Sequence, residues 1–127
     1  MTLSYLDTSA AMKLLVEEAE SAALAAELAR SRRLAASWLL HTELHCAAGR
    51  HPAVVSADAV GTVLDALTLI DLTRGDLLSA GTHTPLRSHD AIHLATALRI
   101  GADELVTYDE EVAIAARSAG LSVLAPS

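Results

Sequence analysis

Short apolar runs alternating with helical patterns constrain this chain more than any other feature. Leu3 to Leu6, Leu34 to Ala36, Leu69 to Leu72, Leu105 to Thr107 and Ser122 to Leu124 are each too short for a helix. Between them lie segments with apolar residues three or four apart: Ser9 to Val16, Ala19 to Arg30, a helix capped by Ser37 and running to about Ala48, Ser56 to Ala66, Arg74 to Ala80, Ser88 to Ile100 and Glu110 to Ala119. Gly101 and Gly120 stand where a left-handed residue would close the last two helices. Strand and helix in alternation predict an α/β/α sandwich, a central and mostly parallel sheet of four to five strands with helices on both faces. Such sheets place ligands beyond the carboxyl ends of their strands.

Composition supports this and narrows the classes. Apolar residues are 52% of the chain, yet there are one Trp, two Tyr and no Phe, so close-packed Ala- and Leu-rich helices are favoured over an aromatic-rich β-sandwich. No repeat or linker divides residues 1–127, which read as a single domain long enough for its own core. No apolar run is long enough for a membrane span and no signal peptide is visible. A lone Cys46 excludes an internal disulfide, and a cytoplasmic protein is expected. Sixteen acids against nine bases give a net charge of −7, which argues against indiscriminate coating of nucleic acid but not against an enzyme with a cation-filled site.

Four acids fall at or near the ligand-binding edge. Asp7 ends the first strand, and Asp109 follows the strand that ends at Thr107. Either could simply cap the next helix. Asp90 lies in the first turn of the helix opened by Ser88, where an acid also complements the helix dipole. Glu43 shares a stripe with Ala36, Leu40 and Ala47, so a carboxylate expected among core residues must be paired, metal-bound or protonated; a small rotation of the helix would move it to the margin. Four carboxylates at one edge repel unless something positive sits among them, and hard divalent cations prefer oxygen ligands.

The segments YLDTSA, TELHCA, HDAIHLATAL and ADELVTYDEEVAIAA, in that order, resemble the PIN-domain nucleases over essentially the whole chain. The size resembles the VapC toxins of bacterial toxin–antitoxin pairs. The resemblance implies an endoribonuclease dependent on Mg²⁺, with Mn²⁺ as the alternative, whose catalytic and metal-binding acids are Asp7, Glu43, Asp90 and Asp109. It matches Ser9 and Thr107 to supporting hydroxyl positions. It also implies a homodimer, RNA as substrate, a VapB-like antitoxin as partner, and contact with DNA only through that antitoxin. Arg87, three residues before Asp90, is the basic residue expected nearest the substrate path.

Other readings compete. His41 with His45, and His89 with His93, are spaced to face one way on a helix, as a histidine-based metal site would need. Glu43 is not placed as the zincin signature requires. A response-regulator receiver needs a late-strand Lys, whereas the only Lys is Lys13; a haloacid dehalogenase phosphatase needs a second Asp where Ser9 stands. A non-catalytic binding module also remains open.

Overall fold

The computed structural model describes residues 1–127. Five strands, β1 (Thr2–Leu6), β2 (Arg32–Ser37), β3 (Thr68–Ile70), β4 (Glu104–Val106) and β5 (Ser122–Leu124), form one sheet in the order β3-β2-β1-β4-β5, every neighbouring pair parallel. Seven helices connect them: α1 (Thr8–Leu15), α2 (Ser21–Leu28), α3 (Trp38–Arg50), α4 (Ala57–Asp65), α5 (Arg74–Ala80), α6 (Ser88–Arg99) and α7 (Glu110–Ser118).

Period-two alternation distributes the central strands between two cores. Tyr5 on β1 and Leu105 on β4 pack with Leu94 and Ala97 of α6 and with Val112 and Ala116 of α7. Their neighbours Leu6 and Val106 turn the other way, against Ala10 of α1 and Leu24 of α2. A third cluster joins Ala36 to Ala11 of α1, Leu40 and Leu44 of α3, and Val60 and Leu64 of α4. The many alanines let these helices lie close to the sheet without aromatic filling. Gly101 and Gly120 follow α6 and α7 with φ of 69° and 88°, the left-handed geometry that lets each chain turn back into the next strand.

Two local expectations shift. Ala36 belongs to β2, and the buried stripe of α3 is Leu40, Leu44 and Ala47, so Glu43 stands at the margin of that stripe rather than within it. The third strand is Thr68–Ile70, which leaves Asp71 and Leu72 in the following loop.

The topology also creates a crevice. The chain builds outward from β1 through β2 to β3, then returns to place β4 on the opposite side of β1. The order therefore reverses between β1 and β4, and the segments leaving their carboxyl ends, Asp7 and Thr107 to Asp109, face each other there.

Candidate active site

Asp7 is the most firmly held group at this edge. Its Oδ1 accepts from the Ser9 hydroxyl at 2.7 Å and the Ala10 amide at 3.1 Å, and its Oδ2 accepts from the Thr107 hydroxyl at 2.5 Å. The Ala10 bond caps α1, so the helix-cap expectation is met. Ser9 and Thr107 lie 3.2 Å apart and tie the two strand ends together; Ser9 Oγ accepts from the Tyr108 amide, and Thr107 Oγ1 from that of Asp109. Burial pushes the Asp7 carboxyl above its ordinary value, and the Ser9, Thr107 and Ala10 hydrogen bonds only partly counter it.

Asp109 caps α7 through the Val112 amide at 3.1 Å. Asp90, in the first turn of α6, is nearly buried, and its carboxyl is raised first by burial; Asp109 adds to this, while His89 and Arg87 oppose it. Arg87 is the N-cap residue of α6, with no side-chain capping bond, and Ser88 is the first helical residue. Its guanidinium stands between the two acids, 3.5 Å from Asp90 and 3.7 Å from Asp109, on a side chain that is 72% exposed. Arg87 thus supplies the positive charge that the paired carboxylates need.

Glu43 reaches the same region from α3. Its Oε1 accepts from His93 Nε2 at 2.6 Å, and Thr8 Oγ1 lies 3.2 Å from that nitrogen. Burial alone would raise the Glu43 carboxyl; the hydrogen bond from His93, with that of Thr8 adding to it, outweighs burial and holds the group below its ordinary value. His93 is wholly buried, and its Nδ1 lies 2.7 Å from the Tyr5 hydroxyl, which accepts the Ser37 amide at 3.1 Å. The i, i+4 histidines do not face a common point on α6: His93 turns inward to Tyr5 and Glu43 while His89 lies 3.3 Å from Asp90. On α3 the His41 and His45 rings lie 4.4 Å apart, tilted by 50° to one another.

A model of the PIN domain matches residues 4–118. Ribonuclease VapC46 of Mycobacterium tuberculosis is 42% identical, with the whole of both chains covered. The chain belongs to the PIN-domain family. Within it the curated relatives are VapC ribonucleases: VapC35 of the same organism is 36% identical, with 96% of each chain covered. Solved structures share the PIN fold at lower identity. VapBC-1 from nontypeable Haemophilus influenzae superposes with a TM-score of 0.74 at 18% identity, covering 97% of both chains. VapBC2 from Rickettsia felis, bound to a DNA fragment from its promoter, gives 0.72 at 16% identity, covering 99% of this chain and all of that one.

The four acids expected from the PIN resemblance are linked near the strand ends: Thr107 bonds both the Asp7 carboxylate and the Asp109 amide, Arg87 bridges Asp90 and Asp109, and Glu43 meets His93 on the helix that carries Asp90. The Tyr5–His93 pair was missed. A signal for it existed: strand alternation sends Tyr5 into the core, where its hydroxyl needs a partner, and His93 shares the inward face of α6 with Asp90 and Ala97.

Proposed function

We propose that residues 1–127 work as one nuclease domain, an endoribonuclease that uses Mg²⁺ or Mn²⁺ to hydrolyse RNA phosphodiester bonds as the toxin of a toxin–antitoxin pair. The gathering of Asp7, Glu43, Asp90 and Asp109 around the β1–β4 crevice carries this reading. Kinship with proteins named VapC ribonucleases gives its direction.

The residues fit a hard divalent cation by their chemistry, since every candidate ligand is a carboxylate oxygen. Asp90 is destabilised by Asp109, and the charge that answers both is a solvent-exposed arginine able to move aside. In this arrangement no three His, Cys, Asp or Glu side chains are grouped to hold an ion, and the Arg87 guanidinium occupies the place between Asp90 and Asp109 that a cation would take. Asp7, Glu43, Asp90 and Asp109 are the residues that would hold it. A bound Mg²⁺ or Mn²⁺ supplies a lowered pKa for the attacking water and positive charge beside the phosphate.

The chain's own groups do the rest. Three donors immobilise Asp7, so its position is set before substrate arrives. His93 keeps Glu43 ionised and turned toward the crevice. Arg87, released from the acids, reaches a substrate phosphate with a planar fork suited to two of its oxygens.

The partners follow the same reading: a VapB-like antitoxin that covers the crevice and alone contacts DNA, a homodimer of this chain, and a cytoplasmic setting. No helix is long and apolar enough to cross a membrane. The test is an RNA cleavage assay on protein freed of any co-purifying partner. Cutting is expected to stop in excess chelator, to return with Mg²⁺ or Mn²⁺, and to leave 5′-phosphate and 3′-hydroxyl ends. Fragments ending in a 2′,3′-cyclic phosphate would show attack by the RNA's own 2′-hydroxyl, and would remove the need for the cation.

A further inference from the structure

The chain buries a histidine completely, beside the acids, and gives it a partner on each ring nitrogen. Four groups from four elements are linked in series. The Ser37 amide, at the junction of β2 and α3, donates to the Tyr5 hydroxyl on β1 at 3.1 Å. Tyr5 stands 2.7 Å from His93 Nδ1 on α6, and Nε2 of the same ring stands 2.6 Å from Glu43 Oε1 on α3. One arrangement of hydrogens satisfies every member. The Tyr5 O–H donates to Nδ1, which leaves Nε2 protonated to donate to the carboxylate.

The ring cannot rotate away, because Tyr5 meets it edge-on with centroids 5.7 Å apart and neither residue reaches solvent. Glu43, in contrast, lies at the margin of its helix, and nothing in α3 itself determines where its flexible side chain points. The order in this corner therefore resides in Tyr5 and His93.

We infer that His93 is a positioning residue, locked by Tyr5, that commits Oε1 of Glu43 to the imidazole and leaves Oε2 as the oxygen available to a divalent cation. This rests on the proposal that Glu43 is a cation ligand, and deepens it. The physical gain is preorganisation. An unrestrained glutamate must lose rotamer freedom when the ion arrives, whereas this one has already lost it on folding. Hydrogen-bond partners of ligating carboxylates typically change cation affinity by about 10–100-fold when removed. Thr8, 3.2 Å from Nε2, flanks the same contact and keeps the carboxylate side of the ring polar.

The experiment measures Mn²⁺ binding calorimetrically, without RNA, on the wild type and on His93→Leu, His93→Gln, Tyr5→Phe and Glu43→Gln, with melting temperatures in chelator alongside. Leucine fills the buried site without any hydrogen bond; glutamine retains a donor for Glu43 and an acceptor for Tyr5. A purely structural role predicts that cation affinity follows stability, with the apolar leucine at least as good as glutamine. Positioning predicts the reverse order: affinity about 10–100-fold weaker in His93→Leu and largely recovered in His93→Gln, whichever melts higher. Tyr5→Phe should weaken binding about tenfold although it never touches Glu43, and it remains informative if His93→Leu does not fold. Wild-type affinity in both His93→Leu and Tyr5→Phe, with Glu43→Gln impaired, would overturn the positioning role while sparing Glu43 as a ligand. Unimpaired binding in Glu43→Gln would overturn the ligand assignment itself, and the positioning role with it.

Discussion

Asp90→Asn should abolish RNA cleavage and, in the same protein stripped of divalent cations, raise the melting temperature. The loss of activity should be about 10²–10³-fold, the scale reached when one preorganised electrostatic contact at a reacting centre is removed. The gain in stability follows from the surroundings of Asp90. Burial and the neighbouring Asp109 both disfavour its charged form, and Arg87 and His89 only partly compensate. Its folded-state pKa is therefore raised. The folded protein holds this proton more tightly than the unfolded chain does, so stability falls as pH rises from the unfolded carboxylate value of about 4 through the higher folded value. Asp7 acts in the same direction, and Glu43, held low by His93, in the opposite one. Asparagine removes the charge at Asp90 and nearly preserves its shape. The variant should match the wild type near pH 3 and exceed it at pH 7 by about 4 °C, what an effect on the order of 1 kcal/mol does to a domain this size. Mg²⁺ should then reverse the order. At 100 times its dissociation constant it stabilises the wild type by about 2.7 kcal/mol, and the variant by much less. Equal Mg²⁺ shifts in the two proteins would show that Asp90 is not part of a cation site.

The acids were legible because each sits at a grammatical position of the fold: Asp7 and Asp109 where a strand gives way to a helix, Asp90 in a first turn. Their expected roles are real: Asp7 and Asp109 cap their helices, and Asp90 lies in the first turn of α6. Capping thus uses one oxygen of each acid and does not compete with a role in the crevice. The order of strands and helices was legible for a similar reason. Ser37 and Ser56 mark helix starts, and Gly101 and Gly120 mark ends, all by local chemistry. Long-range polar pairing was not legible. Periodicity indicates which face of α3 is apolar but not which marginal residue finds a partner, so the contact of Glu43 with His93, 50 residues away, appears only in three dimensions. Arg99 likewise carries no local signal of its partner, yet it grips a buried acid on α5.

That grip sets up a loss of stability larger than the gain expected at Asp90. Asp76 is 1% exposed and accepts from Arg99 Nε at 2.6 Å, Arg99 Nη2 at 3.0 Å, the Thr96 hydroxyl at 3.1 Å and the Thr73 amide at 3.2 Å. Thr73 returns a capping bond from the Asp76 amide, completing a capping box at the start of α5. One carboxylate thereby starts α5, clamps it to α6 and holds the last turn of the helix that carries Asp90 and His93. Asp76→Ala would strand the Thr96 hydroxyl and the Thr73 amide in a buried place and leave Arg99 without its counter-charge. Removing one partner of a buried pair costs about 3–5 kcal/mol. Arg99 is 39% exposed and can rehydrate, so the low end, about 3 kcal/mol, is expected. For a domain of this size that lowers the melting temperature by about 10 °C. Burial would raise the Asp76 carboxyl, but Arg99, the Thr73 amide and Thr96 together hold it below its ordinary value. The stabilisation is therefore complete above the unfolded value of about 4 and is lost as pH falls through the depressed folded value. Wild type and Asp76→Ala should converge in stability toward pH 2, while at pH 7 their denaturant midpoints stand far apart. A gap that persists undiminished at low pH would mean that Asp76 acts through packing, and that the α5–α6 clamp is not ionic.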